Sequence, residues 1–153
     1  MPETQFLTVN FALPMIGVGI ALILLFLGIP LLIHSKIRQA KFSKLPDGYQ
    51  TFALRRAIRF EGILGISALA LMVILCVGSW VGYGTAKSNL AANIEQKYEP
   101  TALSMSEYNG TWVNVDITLP DGTSFTNTRV DIQDGGEPFI EDVWYHYNPK
   151  SAG

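Results

Sequence analysis

Hydrophobic and polar positions along this chain follow three different rhythms. The first is no rhythm at all. Residues 11–33 (FALPMIGVGIALILLFLGIPLLI) and 62–84 (GILGISALALMVILCVGSWVGYG) are apolar runs of 23 residues, each without a charged side chain. As a helix, each would be roughly 35 Å long, against a hydrocarbon core of about 30 Å. Runs longer than about 18 residues read as membrane spans, and the remaining chain is too short to bury two of them as soluble helices. The second rhythm is helical. Ala86, Leu90, Ile94 and Tyr98 recur every fourth residue, and Pro100 stops the pattern. Span two is therefore expected to continue into this helix, with Gly82-Tyr83-Gly84 a candidate hinge.

The third rhythm is alternation. Val113, Val115, Ile117 and Leu119 point one way, and Asn114, Asp116 and Thr118 the other, as in a half-buried strand. Pro120-Asp121-Gly122 then supplies a turn: proline pre-sets φ, aspartate bonds to nearby backbone, and glycine accepts positive φ. TSFTNTRVDI (123–132) reads as the return strand, QDGGEP as a second turn, and FIEDVWYHY as a third strand. The expected architecture is a membrane α-helical hairpin with a small C-terminal α+β domain, one helix plus a three-stranded antiparallel meander.

Charge gives this layout an orientation. Residues 34–61 carry seven basic side chains (Lys36, Arg38, Lys41, Lys44, Arg55, Arg56, Arg59) against Asp47 and Glu61, whereas residues 85–153 carry four basic against ten acidic. The positive-inside rule places the basic loop in the cytoplasm and both termini outside an inner or plasma membrane. The domains are then 1–10, a short external N-terminus; 11–33, span one; 34–61, a basic cytoplasmic loop with helical extensions; 62–84, span two; and 85–153, an external acidic domain. Span one does not read as a cleaved signal. MPETQFLTVN has no basic residue, and the apolar run is longer than a signal core and is followed by basic residues.

Tyr49, Phe52 and Phe60 interleave with Arg55, Arg56 and Arg59. A helical extension lying on anionic headgroups accounts for this better than a nucleic-acid patch, because juxtamembrane basic residues already serve topology. Membrane lipid is thus an expected partner and nucleic acid is not. LPDG occurs at 45–48 and again at 119–122, but the flanks share no other pattern. It is turn chemistry used on two sides of a membrane, not a repeat.

Small residues offer helix-packing faces. Gly17, Ala21, Leu24 and Gly28 share one stripe of span one, and Gly65, Ala68, Met72, Cys76 and Ser79 one of span two. Gly78 and Gly82 make a GxxxG pair. Pro14 falls in a first turn, and Pro30 is placed to kink span one. Neither span contains Asp, Glu, Lys, Arg or His, which ion pathways, proton relays and haem ligation use. His34 stands at the boundary without a counterpart in span two.

Candidate chemistry outside the membrane is sparse. Cys76 is the single cysteine, so no intramolecular disulfide forms. His146 sits among Trp144, Tyr145 and Tyr147, which with Trp112 are candidate partner contacts, since aromatics are enriched at interfaces. Asp131, Asp134, Glu137, Glu141 and Asp142 lack EF-hand spacing and read as a solvated face rather than a calcium site. Asn109-Gly110-Thr111 matches the glycosylation sequon. No catalytic residues, cofactor or metal ligands are expected.

The layout resembles small two-span accessory proteins of bacterial envelopes, including some encoded by phages. The lack of catalytic groups, the two packing stripes and the aromatic-rich external strand point to a non-catalytic subunit of a larger membrane assembly that docks on other membrane-protein subunits or self-associates. The alternatives are a holin-like lysis or exclusion factor, disfavoured because the spans lack a polar face, and an external ion- or ligand-sensing module. A membrane enzyme ranks last.

Overall fold

A computed structural model of the protein describes residues 5–149. Helix α1 spans Ala12–Phe42 and helix α2 spans Phe52–Tyr98. Strands β1 (Ala102–Met105), β2 (Val113–Thr118), β3 (Ser124–Ile132) and β4 (Pro138–Ile140) follow, and then helix α3 (Glu141–Tyr147). The chain divides into two compact units. One is Leu13–Val81; the other joins the N-terminal segment, up to Ala12, to the chain from Gly82 onward.

The helical unit contains the two apolar runs. Both helices are long and apolar enough to cross a membrane. Only 11% of the most apolar stretch of α1, and 6% of that of α2, is buried within the protein, so neither has the surroundings of a soluble core helix. Pro14 sits in the first turn of α1, where its missing N–H costs nothing, and α1 continues through Pro30 without a break. Past Phe42 the chain makes a 3-10 turn, Asp47–Tyr49, closed by the Tyr49 N–H on the Pro46 carbonyl at 2.9 Å. Thr51 then caps α2, its hydroxyl accepting the Leu54 N–H at 3.3 Å. Helix α2 also runs unbroken through the candidate hinge Gly82-Tyr83-Gly84. It stops at Glu99, whose φ of 47° is left-handed, immediately before Pro100.

The second unit is built on an antiparallel sheet of order β1-β2-β3-β4. It has four strands where the sequence pattern predicts three. The extra strand, β1, pairs Ala102 with Thr118 and Met105 with Val115. Its four residues offer only Leu103 and Met105 to the interior, too few for a periodic signal. The predicted third strand is also corrected. In FIEDVWYHY only Phe139 and Ile140 are extended, and Glu141–Tyr147 is helical. Two physical cues favour the helix: Glu141 and Asp142 in its first turn complement the helix dipole, and Ile140 and Val143, three residues apart, are both buried.

Strand β2 has the expected alternation, with Val113, Val115 and Ile117 inside. Strand β3 keeps its inner face only through a bulge. Val115 pairs with Thr128 and Ile117 with Phe125, so β3 carries one extra residue there. Asn127, at φ 54°, takes the left-handed conformation and gives its N–H to Asp116 Oδ1 at 2.7 Å. The shift brings Phe125 onto the face that buries Val130. The β2–β3 hairpin closes at Pro120-Asp121-Gly122. Gly122 has φ 86° and donates to the Leu119 carbonyl at 3.0 Å. The other LPDG needs no such conformation, because Gly48 in its 3-10 turn has no positive φ.

The core lies between this sheet and the C-terminal part of α2. Ala86, Leu90 and Ile94 are buried there with Val113, Val115, Ile117, Leu119, Val130, Ile140 and Val143, and Tyr98 packs at the edge. Phe11, from the segment preceding α1, belongs to the same core at 4% exposure.

Candidate functional site

The helical unit has a glycine-lined interface between α1 and α2. A Cβ on Gly28 would stand 2.9 Å from Leu69 Cδ2 and 3.3 Å from the Gly65 carbonyl oxygen. A Cβ on Gly65 would stand 2.8 Å from Leu32 Cγ and 3.1 Å from the Gly28 carbonyl oxygen. The two glycines therefore mark a close backbone approach that a methyl group would force apart. One end of the interface pairs Gly17 with Ser79, and the other sets Gly62 against Ser35, whose hydroxyl donates to the Ile58 carbonyl at 2.9 Å. Of the predicted packing residues, Gly17, Ala21, Gly28, Gly65 and Ser79 lie on this interface or are buried, and Ala68 is half-buried. Gly78 meets nothing within 4 Å and faces outward, whereas Gly82 belongs to the other unit.

The basic loop divides into residues with different surroundings. Arg38 makes an ion pair with Glu61, whose other oxygen lies 3.4 Å from His34 Nδ1. His34 is thus part of a small polar cluster rather than isolated. Lys41 and Lys44 line no cavity, whereas Arg56 lines an open one of about 610 Å³ with Phe52 and Phe60. Arg55 stacks its guanidinium 5.6 Å from the centre of the Phe42 ring. Lys36, Arg55 and Arg59 line an open cavity of about 540 Å³ with Leu32, Ile58 and Ile63.

In the sheet unit the most heavily bonded side chain is one the sequence pattern did not single out. Asn93, on α2, is fully buried. Its Nδ2 donates to the Leu7 carbonyl at 2.8 Å and to the Gly136 carbonyl at 2.9 Å, and its Oδ1 accepts the Leu7 N–H at 2.8 Å. Every hydrogen-bonding position of the amide nitrogen is used. Gly136 is also irreplaceable on steric grounds, with φ 87° and a would-be Cβ only 2.3 Å from the Leu7 oxygen. One turn earlier on α2, Asn89 donates to the Thr8 carbonyl at 2.9 Å. Phe11 then stacks on Tyr108 at 4.6 Å and meets Tyr83 edge-on at 5.5 Å. Two asparagines four residues apart on one helix face were the available signal, but neither names its distant partner.

A second anchor surrounds Glu107. Lys87 and Tyr83 each donate to its carboxylate at 2.6 Å, and Tyr83 also accepts the Tyr108 N–H at 2.9 Å. The hydrogen bond and charge of Lys87, then the Tyr83 hydroxyl, hold the Glu107 carboxyl below the usual range.

The predicted partner contacts are spread over two places. Trp112 lies under the Arg129 guanidinium at 4.6 Å, and Arg129 pairs with Asp131 at 2.6 Å. Trp144, Tyr145 and Tyr147 are exposed on α3, with Phe139 tilted against Trp144. His146 does not stand alone. Its Nε2 is 2.8 Å from Asp121 Oδ2 at the β2–β3 turn. The Thr123 N–H, 2.8 Å from Asp121 Oδ1, and then His146 pull the Asp121 pKa down to about 2. Three of the five acids near the second turn go to separate partners: Glu137 to Lys97 at 2.7 Å, Asp131 to Arg129, and Asp142 to the Thr128 hydroxyl. Among the described residues, no three His, Cys, Asp or Glu side chains converge as a metal site would need. Asn109 accepts the N–H groups of Thr111 and Trp112, each at 3.0 Å, in an exposed turn.

The chain matches no protein-family model, no curated protein and no solved structure.

Proposed function

We propose that this chain is a two-span membrane protein that acts as a non-catalytic subunit of a larger envelope assembly. The observation that carries the reading is the bareness of the two long helices. Phe26, Ile74 and Trp80 are 76%, 66% and 82% exposed in the midst of uncharged runs, a surface that water would not tolerate at this extent. The glycine interface supports a hairpin, since small residues let helices approach where lipid gives no hydrophobic drive. The bonds of Asn93 to Leu7 support an even number of crossings. They tie the segment before α1 to the chain after span two, as expected if both lie on one side of the membrane. The basic loop Lys36–Arg59 is then cytoplasmic and the sheet unit external.

The docking role rests on what the external unit displays. Trp144, Tyr145 and Tyr147 form an exposed aromatic group, and β1 is an edge strand. Its one histidine is engaged by Asp121. Topology is tested with single cysteines placed in a Cys76→Ala background. An impermeant maleimide should label Ser104→Cys in intact cells, and Ser43→Cys only after permeabilisation. The reverse pattern would invert the orientation, and labelling of both would sink the hairpin. Native mass measurement after mild detergent extraction tests the assembly. Recovery of free monomer alone would refute the subunit role.

A further inference from the structure

We infer that the loop end of the α1–α2 pair is a specific binding site for an anionic phospholipid. The inference rests on the membrane reading above and gives that reading a particular ligand. Two open cavities flank α2 there, of about 540 and 610 Å³, and they share Arg55, Arg59 and Ile63. The first adds Lys36 from α1, and its floor is apolar, with Leu32, Ile58 and Ile66. Among the described residues, no acidic side chain lines either cavity. Arg38 is neutralised by Glu61, and that ion pair lies outside both. Lys36, Arg55 and Arg59 have no ion-pair partner among the described residues. Three uncompensated cations above an apolar floor complement a molecule with an anionic phosphate head and hydrocarbon chains. The position between two apolar helices, at the basic end, is where such a head would meet the protein. A soluble phosphate would satisfy the cations but leave Leu32, Ile58 and Ile66 uncovered. Nucleic acid would leave the same floor uncovered.

The test compares two variants of the full-length protein with equal charge loss. Lys36→Gln/Arg59→Gln removes cations from the cavities, and Lys41→Gln/Lys44→Gln removes exposed cations that line neither. Each is purified in neutral detergent and titrated with an equal mixture of phosphatidylglycerol and phosphatidylcholine, with bound lipid read by native mass spectrometry. The unmodified protein should retain phosphatidylglycerol selectively. The cavity variant should weaken that binding by about 30-fold, and the surface variant by less than about 3-fold. Equal loss in both variants would reduce the effect to diffuse surface charge and overturn the site, as would retention of both lipids alike. Displacement of the lipid by millimolar inorganic phosphate would assign the cations to a free anion and also overturn it. Alkaline carbonate extraction is run in parallel. Release of the chain without detergent would refute the membrane reading itself, a failure distinct from loss of selectivity in a chain that stays embedded.

Discussion

Replacing Asn93 by alanine should detach the N-terminal segment from the sheet unit. Asn93 supplies three hydrogen bonds at 2.8 to 2.9 Å from a side chain with no exposed surface. Each such bond contributes about 1 kcal/mol net, and a buried group left without a partner costs about 1–3 kcal/mol. Alanine would orphan the Leu7 N–H and the carbonyls of Leu7 and Gly136. The summed cost exceeds what the segment gains by staying, so it should peel away and rehydrate. Release has its own cost, because Phe11 loses its place against Tyr83 and Tyr108, about 2–3 kcal/mol of burial. The balance is a destabilisation of about 3 kcal/mol, a large share of the 5–15 kcal/mol typical of a domain. Hydrogen exchange on the full chain in detergent reads this locally: the Leu7 amide should exchange about 100-fold faster. Asn89→Ala is the control. It loses one exposed bond to Thr8 and should cost less than about 1 kcal/mol. If Asn93→Ala and Asn89→Ala behave alike, or if the Leu7 amide stays protected, the segment is held by something other than Asn93.

Two further outcomes follow from glycine packing and from pH. Gly65→Ala should destabilise the helix pair by about 1–3 kcal/mol, because its methyl would press on Leu32 and on the Gly28 carbonyl oxygen. Gly78→Ala meets open space and should be neutral or slightly stabilising, so equal thermal shifts for the two would contradict the interface. Asp121 has a folded-state pKa of about 2 against an ordinary 3.8. A depressed carboxyl pKa contributes stability that is complete above the unfolded value and is lost as pH falls through the folded one. The unfolding midpoint should therefore drop between about pH 4 and pH 2, and Asp121→Asn should flatten part of that drop. Parallel pH curves for the two proteins would remove the Thr123 and His146 contacts as its cause.

Local periodicity carried much of this architecture. Twenty-three uncharged residues in a row read as a long apolar helix, which pairs its backbone groups within the segment, and both runs are helical. The stripe Ala86, Leu90, Ile94 and the alternation Val113, Val115, Ile117 each repeat with their element's own period. Their burial was legible before any partner was known. The same holds for Gly17, Gly28 and Gly65, whose spacing by helical turns marks a face, although the alignment of one face with the other was not written in either.

Tertiary structure decided what depends on a distant partner. Strand β1 exists because Ala102–Met105 finds the free edge of β2, and four residues alone carry too little period to declare a strand. FIEDVWYHY has the aromatic, β-branched composition of a strand, yet its helical dipole cues and the burial of Val143 beside Ile140 won. The bulge at Asn127 let an irregular pattern keep Phe125 and Val130 on one face. Asn93 and Gly136 meet Leu7 across most of the chain's length, so no local pattern in the sequence could reveal that contact. Sequence determines which surfaces must be hidden, since burial depends on residue type and period. Which surface hides which depends on long-range complementarity of shape and hydrogen bonding, and only the folded chain expresses it.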